Sequence, residues 1–227
     1  MKPAGEFISM RLVESVLPIV LAAGDSTRMG YPKALLPLGE DLFITRILRL
    51  LRDTGLPRPI IILGRAAPLI QPRIQGWPAD VRINHDPDRG QLSSIQLALE
   101  NPGPEHEACM IWPVDQPAVS EELVRRLARL FLSLDSKIVF PRCGGKRGHP
   151  AIFHRDLFQE FMDAPLSESP KKILLGHQRE TSELLTEETA TVDDIDTPSD
   201  YEALTGKSLE AALAERAAAP SMTRTGS

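Results

Sequence analysis

The chain has 227 residues, of which 42% are apolar and 25% charged, and its formal net charge is −5 at pH 7. This length is enough for one large α/β domain with its own core. The acidic balance and the 5% aromatic content argue against a nucleic-acid binder, which needs a basic face and stacking rings. The longest apolar runs, such as Ile60–Leu63, are too short to span a bilayer. No signal peptide is visible and two cysteines cannot form a disulfide framework, so we expect a cytoplasmic protein without nucleic-acid or membrane partners.

In chain order, short apolar segments alternate with segments whose apolar residues follow helical spacing. We predict strands over Val16–Ala23, Pro59–Leu63, Val81–Asn84, Ala108–Val114, Lys137–Phe140, Ala151–Phe153 and Thr191–Ile195. We predict helices over Asp41–Asp53, Gln91–Glu100, from Ser120 onward, Lys171–Leu175 and Pro198–Leu204. This alternation predicts an α/β fold with helices on both faces of a mostly parallel sheet, a Rossmann-like three-layer sandwich. We expect residues 1–207 to form this domain, and residues 208–227 to add a short helix and a disordered end outside the core.

The strongest local motif, LAAGDSTRMGYPK, follows the first predicted strand. Its small residues Ala22, Ala23 and Gly24 let a ligand approach the backbone, whose N–H groups can bind an anion. Arg28 and Lys33 add two positive charges, which suit a polyphosphate. The segment is neither a P-loop nor a dinucleotide-binding motif, because GxxxxGKS, GxxxxGKT and GxGxxG are all absent. The alternative is an ordinary strand-to-helix turn with two surface cations. The length of the motif and the order of its residues favour a polyphosphate-binding loop over this alternative.

Two aspartates, Asp115 and Asp196, each end a predicted strand. Parallel strands bring their carboxyl ends to one edge of the sheet, where ligands bind. Mg²⁺ takes oxygen ligands, usually one or two carboxylates together with phosphates and water. Either aspartate alone could equally be a turn or cap residue, but two of them, each in a segment that also resembles a known enzyme family, predict an Mg²⁺ site. The histidines are scattered and show no zinc-ligand spacing with the cysteines, so we propose no zinc site.

Gly90 and Ser93 lie at the start of a predicted helix. Free backbone N–H groups at that position suit a sugar or phosphate, and a glycine allows close approach. Helix capping explains Ser93 equally well. We therefore predict both residues as nucleotide contacts and keep capping as the alternative.

Taken together, these motifs resemble the nucleotidyltransferases of the molybdenum-cofactor type, close to the molybdopterin cytidylyltransferase branch. The segments that carry the resemblance, in order, are LAAGxSxRMGxPK, Gly90 with Leu92-Ser93-Ser94, Pro113-Val114-Asp115-Gln116-Pro117, Gly148-His149-Pro150, and Asp194 to Tyr201. They extend from about Pro18 to Leu204. The resemblance implies the fold of nucleotide-diphospho-sugar transferases and a Mg²⁺-dependent transfer of a nucleoside monophosphate from an NTP to a phosphate on the acceptor, with release of pyrophosphate.

By the same resemblance, Ala22-Ala23-Gly24 favours CTP, the methyl of Ala23 narrowing the base pocket, and His149 contacts a molybdopterin-type acceptor. A turn histidine satisfied by backbone is the alternative for His149. Arg28 and Lys33 would act catalytically, by neutralising the triphosphate and the leaving pyrophosphate. A molybdoenzyme would receive the product. Residues 169–177 depart from the Gly-Asp-x-Gly-Ala-Arg-like stretch of many relatives, which leaves the acceptor open. The alternatives are a non-catalytic molybdenum-cofactor chaperone and a nucleotidyltransferase for a sugar or alcohol phosphate.

Overall fold

The computed structural model of the chain describes residues 14–218. The predictions made for the first thirteen residues and for the end of the chain at 219–227 lie outside the described residues. The strands are β1 (Val16–Ala22), β2 (Pro37–Leu38), β3 (Asp41–Leu42), β4 (Ile60–Leu63), β5 (Asp80–Ile83), β6 (Ala108–Pro113), β7 (Ile138–Cys143), β8 (Lys146–Arg147), β9 (Ala151–His154) and β10 (Thr181–Leu185). The helices are α1 (Phe43–Asp53), α2 (Ala67–Ile74), α3 (Gln91–Leu99), α4 (Glu121–Ser133), α5 (Phe158–Asp163), α6 (Lys171–Gly176), α7 (Pro198–Thr205) and α8 (Leu209–Ala218).

The main sheet has the strand order β10-β7-β9-β6-β1-β4-β5, and the short β8 pairs with β7. β1 lies parallel to both of its neighbours, β4 and β6, and β5 continues the parallel part. β9 is antiparallel to β6 and to β7, and so reverses direction within the sheet. The predicted mostly parallel sheet is therefore confirmed, and β1 lies inside it between β6 and β4.

The apolar residues of β1 divide between two cores, one on each face of the sheet. Val16 and Val20 join a cluster that includes buried residues of α1, α2, α4, α7 and α8. Leu17 and Ile19 join a second cluster with α3, α5 and α6. This follows from the period of two in a strand, because successive side chains point to opposite faces. Helices cover both faces, so the three-layer α/β sandwich is confirmed.

The predicted strand over Thr191–Ile195 is wrong. These residues form the end of a single 3-10 turn and an irregular segment, and the sheet ends instead at β10. Thr191 and Ile195 are buried, but they pack at the ends of strands rather than pairing in the sheet. The segment has the apolar residues of a buried strand because Thr191 and Ile195 are buried, although neither pairs with a strand of the sheet. β10 escaped prediction because an edge strand is half exposed and its sequence, TSELL, is largely polar.

The helix predicted after Ser208 is present as α8, but it does not lie outside the core as expected. Ala212 is buried in the core cluster. Arg216 Nη1 donates a hydrogen bond to the Glu40 carbonyl at 3.2 Å. The division of the chain at residue 207 remains a prediction. Within residues 14–218, no helix is both long enough and apolar enough to cross a membrane.

Candidate functional site

A cavity of about 170 Å³ opens where the central strands β1 and β6 end. Loops that follow β1, β4 and β6 meet there, together with the segment that precedes α7. Its lining residues are Leu21, Ala22, Gly24, Ser26, Thr27, Arg28, Pro32, Lys33, Ala34, Ala66, Ile70, Val114, Asp115 and Asp196. The cavity therefore lies at the carboxyl ends of parallel strands, the edge of the sheet at which ligands were expected.

Ser26 organises the loop after β1, a role that the sequence analysis missed. Its backbone has a φ of 54°, in the left-handed region. Its carbonyl accepts hydrogen bonds from the N–H groups of Met29 and Gly30, at 3.1 and 3.0 Å. Its Oγ accepts the N–H of Lys33 at 3.1 Å. These bonds close the loop and direct Lys33 toward the cavity. A serine within a glycine-flanked turn is a weak signal for such a role, because serine side chains commonly bond to nearby backbone.

Four charged side chains meet in the cavity. Lys33 Nζ lies 2.9 Å from Asp115 Oδ2 and forms an ion pair with Asp196 Oδ1. Arg28 Nη2 lies 2.8 Å from Asp196 Oδ2. Burial alone would lower the pKa of the Lys33 ammonium, but the charge of Asp115 and the hydrogen bonds to both carboxylates outweigh burial and raise that pKa. The Lys33 side chain is 13% exposed and that of Arg28 69%, so Lys33 is the enclosed charge and Arg28 the one open to solvent.

The two aspartates come together although one of the strands predicted to carry them is absent. Asp115 follows β6, and the preceding N–H of Val114 donates to the Leu21 carbonyl of β1 at 3.0 Å. The Ile195 N–H donates to the Asp115 carbonyl at 3.0 Å, which brings the next residue, Asp196, to the cavity. Asp196 then precedes the N-cap of α7. Asp196 is therefore brought to the cavity by a backbone hydrogen bond between two loops, and not by the end of a strand as predicted.

The remaining predicted site residues lie apart from the cavity lining. Ala23 is buried in the second apolar cluster, so its methyl is part of the core. Ser93 Oγ donates to the Gly90 carbonyl at 2.7 Å and accepts from Asn84 Nδ2 at 2.8 Å. Gly90 is the N-cap of α3, and Ser93 bonds to a carbonyl rather than to a free N–H group, so it does not cap the helix. The nucleotide contacts of Gly90 and Ser93 stay predictions.

His149 is placed by backbone bonding, because its N–H donates to the Thr191 carbonyl at 2.8 Å. Burial lowers the pKa of its imidazole, although a hydrogen bond to the Ile111 backbone and the charge of Asp115 oppose that shift. Its Nδ1 is buried and finds no partner in the part of the chain that the structure describes. Its role as an acceptor contact stays a prediction.

Asp115 and Asp196 are the residues of the cavity that could hold a divalent cation. Asp115 Oδ1 is buried and has no hydrogen-bond partner among residues 14–218, so one carboxylate oxygen remains available. No group of three or more His, Cys, Asp or Glu side chains suited to a metal occurs in that range. Two carboxylates fit Mg²⁺ or Mn²⁺ bound together with phosphates and water, whereas an all-protein cage would need more ligands.

Sequence comparison gives matches that extend over most of the chain. Residues 18–182 match the family described as MobA-like NTP transferase domain. Over 186 residues the chain is 26% identical to the molybdenum cofactor cytidylyltransferase of Escherichia coli, which covers 81% of this chain and 92% of that protein. A segment of 86 residues, 36% of this chain, is 38% identical to the bifunctional IPC transferase and DIPP synthase of Thermococcus kodakarensis, but spans only 20% of that relative's length.

Solved structures with a similar fold also cover most of the chain. The crystal structure of Rv0371c from Mycobacterium tuberculosis is 28% identical, has a TM-score of 0.75, and aligns over 85% of this chain and 98% of its own. A crystal structure of that protein in complex with manganese is 27% identical, with a TM-score of 0.71, and covers 85% of this chain and 99% of its own. Because the family match covers well over half of the residues, we conclude that the chain belongs to the family of MobA-like NTP transferase domains and is a nucleotidyltransferase.

Proposed function

We propose that the protein transfers CMP from CTP to a molybdopterin-type acceptor, with Mg²⁺ as cofactor and release of pyrophosphate. The observation that supports this best is the Lys33 ammonium between the carboxylates of Asp115 and Asp196, with Arg28 beside them. The choice of CTP and of the acceptor rests on the Escherichia coli relative, which is a molybdenum cofactor cytidylyltransferase. The choice of a divalent cation rests on the carboxylate pair and on the manganese complex of the Mycobacterium tuberculosis protein. A cytoplasmic location and delivery of the product to a molybdoenzyme are part of the same proposal.

The charges of the cavity explain how the chain would assist this transfer. When bound, a divalent cation would neutralise and orient the phosphates. Lys33, enclosed and held at a raised pKa, stays protonated and stabilises negative charge on the triphosphate. Arg28, exposed at the cavity mouth, can turn from Asp196 toward the leaving pyrophosphate. Phosphoryl-type transfer depends mostly on positioning and charge stabilisation, so no side-chain nucleophile is needed.

The floor of the cavity suits a phosphate chain. Gly24 lines the cavity and has no atom within 4 Å of the place where a Cβ would lie. The loop backbone there is therefore accessible to a ligand. The Ala23 methyl lies in the core rather than in the cavity, so it does not support CTP over GTP as the sequence analysis expected. Nucleotide selectivity must come from other residues.

A second acceptor class also has support. The segment shared with the bifunctional IPC transferase and DIPP synthase of Thermococcus kodakarensis is 38% identical over 86 residues. That relative is not a molybdenum cofactor enzyme by name, so a different phosphorylated acceptor, such as a sugar or alcohol phosphate, is the alternative. Both acceptors use the same nucleotide half of the site, so only an acceptor assay separates them.

The first experiment is calorimetry of CTP, GTP, ATP and UTP with and without Mg²⁺, followed by pyrophosphate release with each acceptor class. We expect Asp115→Asn, Asp196→Asn and Lys33→Ala to lower turnover about a hundredfold or more, because each removes charge that stabilises the transferred group or its cation. Asp193→Asn changes an exposed aspartate of the same segment and serves as the matched control.

Normal turnover in all three variants, with unchanged circular dichroism, would contradict the proposed mechanism. Mg²⁺-dependent selectivity for another nucleotide would contradict CTP while leaving the reaction type intact. Pyrophosphate release with a sugar phosphate and none with the molybdopterin-type acceptor would favour the alternative substrate.

A further inference from the structure

Gln116 is a buried polar residue directly beside Asp115, and the proposed mechanism gives it no role. It is 3% exposed, and its Nε2 donates a hydrogen bond to Asp194 Oδ1 at 2.7 Å. Asp194 is exposed and lies two residues before Asp196. The bond therefore connects the segment that carries one cavity carboxylate to the segment that carries the other, across 78 residues of chain.

Two further hydrogen bonds hold the backbone on either side of this contact in place. The indole Nε1 of Trp112, which is fully buried in β6, donates to the Gln116 carbonyl at 2.9 Å. The Ile195 N–H donates to the Asp115 carbonyl at 3.0 Å. The segment 194–196 thus meets the end of β6 through one backbone bond and one side-chain bond, side by side. The Trp112 bond fixes the β6 side of the pair.

Asp196 depends on such bonds because the sheet does not hold it. Residues 193–196 are irregular, and Asp196 uses its own N–H to donate to Asp200 Oδ2 at 3.1 Å, at the start of α7. A strand ladder would set its position through repeated hydrogen bonds, as β6 does for Asp115. Without one, the contacts of the segment just before Asp196 help to set the separation of the two carboxylates, together with the Lys33 ammonium that lies between them.

The chemistry of this contact requires a hydrogen-bond donor at position 116, and the Gln116 amide supplies one. An ionised carboxylate only accepts hydrogen bonds, so Asp194 must be met by the NH₂ end of the Gln116 side chain. A hydrogen bond from an amide to a charged oxygen is stronger than one between neutral groups. Gln116 Oε1 is buried without a partner among the described residues, so the Asp194 bond is the one that orients the amide.

We propose that Gln116 is a positioning residue, which acts through Asp194 to set the separation of the Asp115 and Asp196 carboxylates. The inference rests on the proposed role of those carboxylates as the ligands of a divalent cation. Gln116 itself would touch neither the cation nor the nucleotide. Partners of metal ligands in the surrounding shell commonly change metal affinity by about 10–100-fold when they are mutated.

Binding of Mn²⁺ together with CTP to the full-length protein, measured by calorimetry, tests this role. We expect Gln116→Leu and Asp194→Ala each to weaken Mn²⁺ binding about tenfold, since each removes one partner of the bond. Asp194→Asn keeps an acceptor oxygen for the amide, so we expect a loss of no more than about threefold. The double variant Gln116→Leu/Asp194→Ala should be no weaker than either single variant, because both remove the same bond.

Asp194 is exposed, so Asp194→Ala gives an answer even if the buried Gln116→Leu variant does not fold. If Asp194→Asn weakens Mn²⁺ binding as much as Asp194→Ala does, the charge of Asp194 is what matters and the inference is wrong. Normal Mn²⁺ binding in both Asp194→Ala and Gln116→Leu, or independent effects in the double variant, would also overturn it. A purely structural role would lower the melting temperature of these variants without changing Mn²⁺ binding well below that temperature.

Asp196→Asn separates this inference from the proposed function. If Asp196→Asn loses Mn²⁺ binding while the Gln116 and Asp194 variants retain it, only the positioning role fails. If Asp196→Asn binds Mn²⁺ and CTP as the wild type does, or if the wild type does not bind them, the proposed function fails and the inference fails with it.

Discussion

At Gly64 the chain leaves β4 and passes close to the loop that follows β1. A Cβ added at Gly64 would lie 2.2 Å from the carbonyl oxygen of Ala23, a backbone atom that cannot turn aside. At Gly24, one residue after Ala23, an added Cβ would meet no atom within 4 Å, and the φ angle is not in the left-handed region. The two glycines therefore have different roles: one permits packing of the loop and the other leaves the cavity open.

We expect Gly64→Ala to lower the free energy of unfolding by about 1–3 kcal/mol, because overpacking forces the backbone to shift. The nucleotide loop should shift too, so CTP affinity should fall with it. The free energy of unfolding of Gly24→Ala should lie within about 0.5 kcal/mol of the wild-type value, because the added methyl crowds no neighbouring atom. This variant should nevertheless bind CTP more weakly, because the methyl enters the cavity. Thermal unfolding and calorimetry measure both. Wild-type stability of Gly64→Ala would contradict the close approach.

At the scale of elements, His177 joins the two small helices on one face of the sheet. It follows α6, and its Nε2 lies 2.7 Å from Glu160 Oε2 of α5. Its Nδ1 lies 2.6 Å from Glu180 Oε2, and Glu180 also pairs with Lys137 at 2.8 Å. An imidazole can donate from both nitrogens only when protonated. The hydrogen bond to Glu180 raises the pKa of His177, and Glu160 adds to that effect against the opposing effect of burial.

The stability gained at His177 should depend on pH. Because the pKa in the folded protein lies above the unfolded value of about 6.5, this stabilisation is complete below about pH 6.5 and is lost as pH rises through the folded pKa. We expect the protonated His177 to contribute about 1 kcal/mol to the free energy of unfolding. His177→Gln should therefore lower the melting temperature at pH 6 by roughly 2–4 °C and have little effect at pH 9. Calorimetric unfolding at both pH values measures this, with the exposed His85→Gln as control. An equal loss at both pH values would show that charge is not involved.

At the scale of the whole molecule, the chain closes by returning α8 to the core beside the β2–β3 hairpin. Ala212 is 6% exposed within the same cluster as α1 and α7. Arg216 donates to the Glu40 carbonyl, 176 residues earlier in the chain. Tyr201 of α7 donates its hydroxyl to the Pro37 carbonyl at 2.8 Å, so both C-terminal helices pack near this hairpin. The C-terminal helices thus stabilise the segment that follows the loop after β1.

We expect Ala212→Glu to lower the free energy of unfolding by about 2 kcal/mol or more, since it places an unpaired charge in the core. That corresponds to a fall of at least roughly 4 °C in melting temperature. Ala211→Glu, on the exposed side of the same helix, is the matched control. Equal melting temperatures for the two variants would show that α8 is an appendage, and would support a domain that ends at residue 207.

Much of the local structure follows from residues close together in sequence. The spacing of Ile44, Ile47, Leu48 and Leu51 predicts α1, and all four are buried. The helix predicted from Ser120 onward is α4, and Ser120 is its N-cap, because its Oγ accepts the Leu123 N–H at 3.1 Å. Such features depend on side-chain periodicity and on capping bonds within one turn, which a short window of sequence contains. The LAAGDSTRMGYPK motif likewise places Arg28 and Lys33 in one loop.

Local sequence patterns are therefore enough to predict the alternation of buried strands with amphipathic helices and the residue types of the candidate site. The tertiary structure decided which distant groups meet. Lys33 contacts Asp115 and Asp196, which lie 82 and 163 residues away. It also decided that Asp196 is placed by a loop, that β10 rather than residues 191–195 ends the sheet, and that α8 joins the core. Apolar residues can be buried by pairing in a sheet, by hydrogen-bonded loops or by docking of a helix. A local sequence pattern does not distinguish these contacts, because they depend on residues far apart in the chain.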